Sequence, residues 1–316
     1  MARRKRERLE MEETFPKGRQ VTDAQKIMEK VVVLDIIFHR PTIRRKADLG
    51  LIDAAADKSM LGLTKALVES KEYTEVCHVA NETRSWLERR TLPSPLRRGT
   101  YLLPLTMVEA VNDKLDEVEK DFLAKAEKFL DAYPALTEAA RVKLMDQFDP
   151  ANYPSVNALR VAFSLERRLL DFGVPGEEKI GKALWQKEKE RAEKTWIAAV
   201  DDIQDALRAA FRGLVGHLSE RLEPNVDGSK KCFKDSAINK LLEFIDLFKN
   251  RNLTGDAELE GLVAQARNVL EGKSPKKIRD RATTRGEVAG EMARVMGALD
   301  KLLENSPRRK ISFEDE

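Results

Sequence analysis

The chain has 316 residues, with 57 Lys plus Arg against 54 Asp plus Glu, a net charge of +3, and 35% charged and 6% aromatic residues. A balance so near neutrality argues against a general polyanion binder, so any affinity for nucleic acid has to come from local clusters. Two cysteines, Cys77 and Cys232, argue against a disulfide framework and for a reducing cytoplasm, and no apolar run approaches the ~20 residues of a membrane helix.

Residues 1–22 are dense in charge, with Arg3, Arg4, Lys5, Arg6 and Arg8 interleaved with Glu7, Glu10, Glu12 and Glu13. They read as a flexible basic arm, and no apolar segment follows to make a secretory signal. Residues 31–38, Val-Val-Val-Leu-Asp-Ile-Ile-Phe, are rich in β-branched side chains and stop before Pro41, the pattern of a buried strand. Thr22-Asp23-Ala24-Gln25 resembles a helix start, which leaves a helix open for the same stretch. Residues 54–90 carry helical spacing in two patches, Leu61, Leu63, Ala66 and Leu67, then Val76, Val79, Ala80, Trp86 and Leu87. Arg97-Arg98-Gly99-Thr100-Tyr101-Leu102-Leu103-Pro104 reads as a turn and a short extended segment, able to pair with residues 31–38 in a two-stranded ribbon. Together these form a small α/β base over residues 23–105.

Residues 106–222 should form a long helical bundle. Thr106 is placed to cap a helix over 107–133, where Val108, Val111, Leu115, Val118, Phe122, Ala126, Phe129 and Tyr133 recur in steps of three and four, before Tyr133-Pro134 stops it. A short helix over 135–148 and a helix capped by Ser155, through Leu159, Val161, Phe163, Leu165, Leu169 and Leu170, lead to the turn Gly173-Val174-Pro175-Gly176. Residues 177–222 then read as one strut, roughly 70 Å long at 1.5 Å per residue. Its stripe is Trp196, Val200, Ile203, Leu207, Phe211, Leu214 and Leu218, and the helix over 107–133 is the expected antiparallel partner. Residues 223–305 should form a C-terminal helical lobe and 306–316 a tail. The fold class expected is mainly α: an elongated antiparallel hairpin or bundle with a small two-stranded β ribbon and a C-terminal helical lobe.

Few residues offer chemistry. His39, His78 and His217 stand far apart, and neighbouring Cys77 and His78 point in different directions on a helix, so no metal is expected. His217, beside the stripe, reads as a core or boundary residue. Gly272-Lys273-Ser274 lacks the glycine five residues earlier, where Arg267 stands, and runs into Pro275, so it is not a phosphate loop. Carboxylates of the strut, among them Glu188, Glu190, Glu193, Asp201, Asp202 and Asp205, alternate with Lys187, Lys189, Arg191 and Lys194 as on a solvated face. No catalytic residue and no cofactor is expected. Two basic clusters stand out: Arg84, Arg89, Arg90, Arg97 and Arg98 near Trp86 and Tyr101, and Lys273, Lys276, Lys277, Arg279, Arg281 and Arg285. They either dock on nucleic acid or an acidic protein face, or are neutralised by carboxylates folded back from elsewhere in the chain.

The order of Val31-Val-Val-Leu-Asp-Ile, Ala47-Asp48-Leu49-Gly50 and Leu96-Arg97-Arg98-Gly99-Thr100-Tyr101-Leu102-Leu103-Pro104, followed by an amphipathic helix, resembles a family of phage, plasmid and bacterial proteins classed as a domain of unknown function. Members are encoded beside a MoxR-type AAA+ ATPase and a von Willebrand A-domain protein like the cobalt chelatase subunits. The resemblance covers roughly the first two thirds of the chain and implies an accessory role in an ATPase machine. It transfers no catalytic residues. The expectation is a cytoplasmic, non-enzymatic adaptor or scaffold that meets such an ATPase, its A-domain companion or copies of itself. A nucleic-acid-associated protein using the arginine clusters is the alternative.

Overall fold

The structure, a computed structural model, describes residues 21–304 apart from 49, 51–56, 58–59, 172, 225–228, 230, 232 and the side chains of 21–23. The basic arm, the tail and Cys232 lie outside these. The protein is mainly α, with ten α-helices and a small antiparallel sheet among the described residues. It divides into two compact units that are discontinuous in sequence. Of the described residues, unit 1 gathers 21–33, 89–106 and 171–304, and unit 2 gathers 34–88 and 107–170. The chain passes between the units after Val33, Glu88, Thr106 and Leu170, so the expected boundary near 105 coincides with a crossing and the one near 222 does not.

Unit 1 is built on the stripe of the strut. Glycine at 181, with φ of 76°, splits the expected strut into a short α5 (Glu177–Ile180) and the 41-residue α6 (Lys182–Leu222). Only the part from Trp196 onward is buried: Trp196, Val200, Ile203, Leu207, Phe211, Val215, Leu218 and Leu222 form the inner face, while Leu214 is half-buried at its margin. The stripe is covered by α10 (Ala282–Glu304), α1 (Val21–Met28) and α7 (Asp235–Arg251), with α8 (Ala257–Leu270) and α9 (Pro275–Asp280) behind them. The helix over 107–133 belongs to the other unit, so the antiparallel pairing expected of it is replaced by these helices. An apolar stripe specifies that something must cover it, not what. Helix α6 runs unbroken through Gly213 and Gly216, and a Cβ at Gly216 would sit 3.2 Å from Met296 Sδ of α10, so the missing side chain permits that close packing.

The sheet is larger than the expected ribbon. Strand β1 (Val31–His39) is the strand read from its β-branched run, and its first three residues lie in unit 1. β5 (Thr100–Pro104) pairs antiparallel with β4 (Leu92–Pro93) in the register Leu92 to Leu102 and Pro93 to Tyr101. With β6 (Ser164–Leu170) these strands follow the order β4-β5-β1-β6. Residues 164–170 were expected to continue a helix. Only α4 (Val156–Arg160) is helical, capped as expected by Ser155, whose hydroxyl accepts the Ala158 amide at 3.3 Å. The backbone groups offered by β1 override the local helical spacing beyond it.

Unit 2 is organised by α2 (Lys71–Arg90) and by α3 (Val108–Leu144), which passes through Pro134 rather than ending there. Proline forfeits the bond to the Leu130 carbonyl, but Phe129, Leu130, Tyr133 and Ala140 continue the buried face and hold the helix together. Thr106 does not cap α3; it sits in a 3-10 turn, and Met107 is the residue before the helix. Edge-on ring contacts join Phe38 to Phe122 at 5.2 Å, Phe122 to Phe163 at 6.2 Å, Phe163 to Phe129 at 5.9 Å, and Phe129 to Tyr73 at 5.3 Å. A second, two-stranded ribbon pairs β2 (Arg44–Lys46) with β3 (Thr64–Ala66). The patch around Leu61 to Leu67 had been expected to be helical, yet the helix begins only at Lys71.

Candidate functional site

The arginines singled out in the sequence are mostly spent on the fold. In unit 1 the Arg89 and Arg90 guanidinium groups both meet the Glu243 carboxylate, Arg89 at 3.7 Å. Arg279 pairs with Asp235 and lies over the Phe233 ring at 5.5 Å. Arg285 is buried, and its guanidinium donates to the carbonyls of Leu222 at 3.0 Å, Arg221 at 2.8 Å and Lys231 at 2.9 Å. It thereby satisfies the free carbonyls at the end of α6 and places a cation on the negative end of the helix dipole. Lys273 donates to the Val269 carbonyl at 2.7 Å, and Ser274 caps α9 by accepting the Lys277 amide at 3.2 Å. The Gly272-Lys273-Ser274 sequence is thus a link between two helices. Arg97, Arg98, Lys276, Lys277 and Arg281 remain exposed in unit 1. In unit 2, Arg84 lies over Phe38 at 5.8 Å and donates to Asn81 at 3.3 Å.

The histidines do not converge. His39 meets Glu166 at 3.1 Å, a contact that holds the Glu166 carboxyl below its usual range, and His78 meets Glu82 at 3.3 Å. His217 is exposed, contrary to its expected core or boundary place: it stands one position off the stripe, and Leu218 takes the buried position. Burial pushes the Tyr73 phenol up to about 12, with Cys77 adding to the effect. Among the described residues, no three His, Cys, Asp or Glu side chains gather as a metal site. No helix among them is long and apolar enough to cross a membrane.

A different constellation emerges in unit 2. Residues 65–69, spanning β3 and the turn after it, form one wall of a cavity of about 260 Å³, and residues 136–144 at the end of α3 form the other. Leu67, Leu136, Ala139, Ala140 and Leu144 give it an apolar lining. The rim is cationic. Lys143 reaches Glu69 at 2.7 Å, which lowers the Glu69 pKa, and Lys65 donates to the Gln147 carbonyl. Beyond that rim Arg44, Arg45 and Lys46 are all exposed on β2, and none makes an ion pair among the described residues. Arg45 stands directly across from Lys65 in the ribbon, a like-charge pair that opposes pairing of the strands. Past Leu144 the backbone enters a strained conformation at Met145, with φ of 46°, and its side chain is 77% exposed.

No family model, curated protein or solved structure matches this chain. The site therefore has to be interpreted from its own geometry. It joins an apolar recess, with the Lys143–Glu69 pair at its rim, to the exposed cations of β2.

Sequence reasoning passed over Arg44-Arg45-Lys46, although three consecutive cations with no acid before Asp48 were visible. It had no means of finding Lys65 and Lys143, which come to one recess only through the fold.

Proposed function

We propose that the protein is a non-enzymatic interaction protein, an adaptor whose second unit receives an acidic partner protein in the groove between β3 and α3. The observation that carries this is the juxtaposition of the apolar recess with Arg44, Arg45 and Lys46, exposed cations that no carboxylate among the described residues meets. The family resemblance makes a MoxR-type AAA+ ATPase and a von Willebrand A-domain protein the first partners to test, followed by a second copy of the chain. Nucleic acid is the competing reading, favoured by the same cations and by exposed Arg97, Arg98, Lys276, Lys277 and Arg281.

The test is affinity purification of the tagged full chain from its host, with half of each sample treated with nuclease. Wild type is compared with a triple variant carrying Arg44→Glu, Arg45→Glu and Lys46→Glu. The expected result is recovery of the ATPase and the A-domain protein in both halves and their loss from the triple variant. Partners found only in the untreated half would assign the surface to nucleic acid and overturn the adaptor reading.

A further inference from the structure

Resting on the adaptor reading, we infer how the partner is held: an extended segment with an apolar side chain flanked by acidic residues adds to the free edge of β3 as a further strand. The register of the ribbon supplies the first observation. Leu67 N–H donates to the Ile43 carbonyl at 2.7 Å and Ala47 N–H to the Leu63 carbonyl at 2.9 Å, so the odd-numbered residues of the two strands bond to each other. In an antiparallel pair the residues between them turn their peptide groups away from the partner strand. On β3 those residues are Thr64 and Ala66, and their N–H and C=O groups make no hydrogen bond among the described residues. On β2 the Thr42 hydroxyl accepts the Arg44 amide at 3.4 Å and donates to the Arg44 carbonyl at 3.3 Å, which engages the outward groups of that residue. Ala66, on the open edge of β3, lines the cavity.

The second observation is the cavity itself. At about 260 Å³ it falls below the ~300–1,000 Å³ typical of small-molecule sites and suits one large apolar side chain between Leu67, Leu136, Ala140 and Leu144. A strand laid along β3 sends alternate side chains to opposite faces, so an apolar residue entering the recess has neighbours directed outward. Charge decides their chemistry. Acids flanking the apolar residue fall on the opposite face of the pleat, the face that exposed Arg44 and Lys46 share with Ala66 and Thr64, and would meet those cations. Main-chain bonds supply affinity in such strand addition, and the pocket and charges supply specificity.

The experiment screens a display library of random peptides against the full chain and, in parallel, against the Ala66→Pro variant. Proline removes one of the two N–H groups on that edge, the one at the residue lining the cavity, and the ribbon's own ladder does not use it. Thermal unfolding checks that the variant is folded. Enriched sequences are synthesised with and without N-methyl groups on alternate amides, and their binding is followed by fluorescence anisotropy at two salt concentrations. The expected result is enrichment of peptides with an apolar residue flanked by acids, and at least about tenfold weaker binding for Ala66→Pro and for the N-methylated copies. N-methylation removes the peptide N–H groups that would donate to the Thr64 and Ala66 carbonyls, so it tests the same ladder without touching the protein and decides the matter even if Ala66→Pro does not fold. Absence of enrichment, enrichment of peptides without acids, or indifference to N-methylation would overturn strand addition. An oligothymidylate that displaces the peptides and binds Ala66→Pro equally well would overturn it in favour of nucleic acid. Partner recovery in the purification above is read independently, so the adaptor reading can stand while this mode of binding falls.

Discussion

The two units treat positive charge in opposite ways. In unit 1 the arginines close on internal partners: Arg208 on Asp256 at 2.7 Å, Arg212 on Asp300 at 2.5 Å, and Arg285 on three carbonyls. In unit 2, Arg160 and Arg167 likewise meet Glu127 and Asp116, yet Arg44, Arg45 and Lys46 meet no acid among the described residues. A dense basic cluster in sequence is therefore a poor guide to a basic surface. What counts is whether the fold delivers a carboxylate or a carbonyl to each cation. Unit 1 also keeps Arg97, Arg98, Lys276, Lys277 and Arg281 exposed, whereas the exposed cations of unit 2 stand beside an apolar recess.

The comparison can be broken most violently in the cores. Leu207→Asp places a charge in the fully buried face of α6, where even truncation of a leucine costs about 2–5 kcal/mol, and should abolish the cooperative unfolding transition of unit 1. Leu214→Asp, at the half-buried margin, should be distinctly milder. Urea unfolding with hydrogen exchange on both variants checks this, and equal effects would refute the assignment of the inner face. In unit 2, Phe129→Ala removes a ring that touches Tyr73, Tyr133 and Phe163, at an expected cost of about 3–5 kcal/mol by urea unfolding.

Next in size is the buried pair of unit 1. The Asp256 carboxylate accepts Arg208 at 2.7 Å and the Leu259 amide at 3.1 Å, capping α8 as well as neutralising the arginine. Asp256→Ala should cost about 2–3 kcal/mol, because it leaves a nearly buried guanidinium with only the 3.5 Å contact to exposed Glu258 and removes a cap. Burial raises the Asp256 pKa, but hydrogen bonds from Arg208, the Leu259 amide and Gln204 outweigh it and the net shift is downward. A carboxylate with a folded pKa below its unfolded one stabilises fully above the unfolded value and loses that contribution as pH falls through the folded one. Unit 1 should therefore lose stability below about pH 4, and Asp256→Asn should remove this contribution to the acid sensitivity.

Arg285→Ala should cost about 1.5–3 kcal/mol, since charge-assisted bonds to the end of α6 disappear. Arg285→Lys should rescue it poorly, as one ammonium cannot reproduce the planar fork that reaches three carbonyls. Denaturation of the two variants side by side would show it. The smallest effect is expected at the ribbon. Arg45→Glu replaces a like-charge pair across from Lys65 with an opposite one and should stabilise unit 2 by up to about 1 kcal/mol while weakening partner recovery. A loss of stability would mean that Arg45 serves the fold after all, and the contrast between the units would collapse.

Much of the architecture was legible in sequence. Steps of three and four marked α6 and α3, β-branched residues marked β1, the Gly-Pro turn marked the approach to α5, and Ser155 marked the start of α4. The misreadings share a cause. Residues 164–170 and 64–66 became strands because a partner strand lay beside them, and Pro134 was absorbed because the packed face of α3 continues on both sides of it. The recess was invisible because its walls meet only in the fold, although the three cations beside it stand together in the chain.

By itself, then, the sequence determined the mainly helical class, the long amphipathic faces and the places where the chain turns. Those follow from side-chain period and backbone freedom, which act over a few residues. Only the tertiary structure decided that the α6 stripe is covered by α10, α1 and α7, that Arg285 ends a helix rather than meeting a phosphate, and that Ala66 opens onto a recess. Burial and charge pairing are settled between residues far apart in the chain, and no local pattern specifies which distant surface arrives.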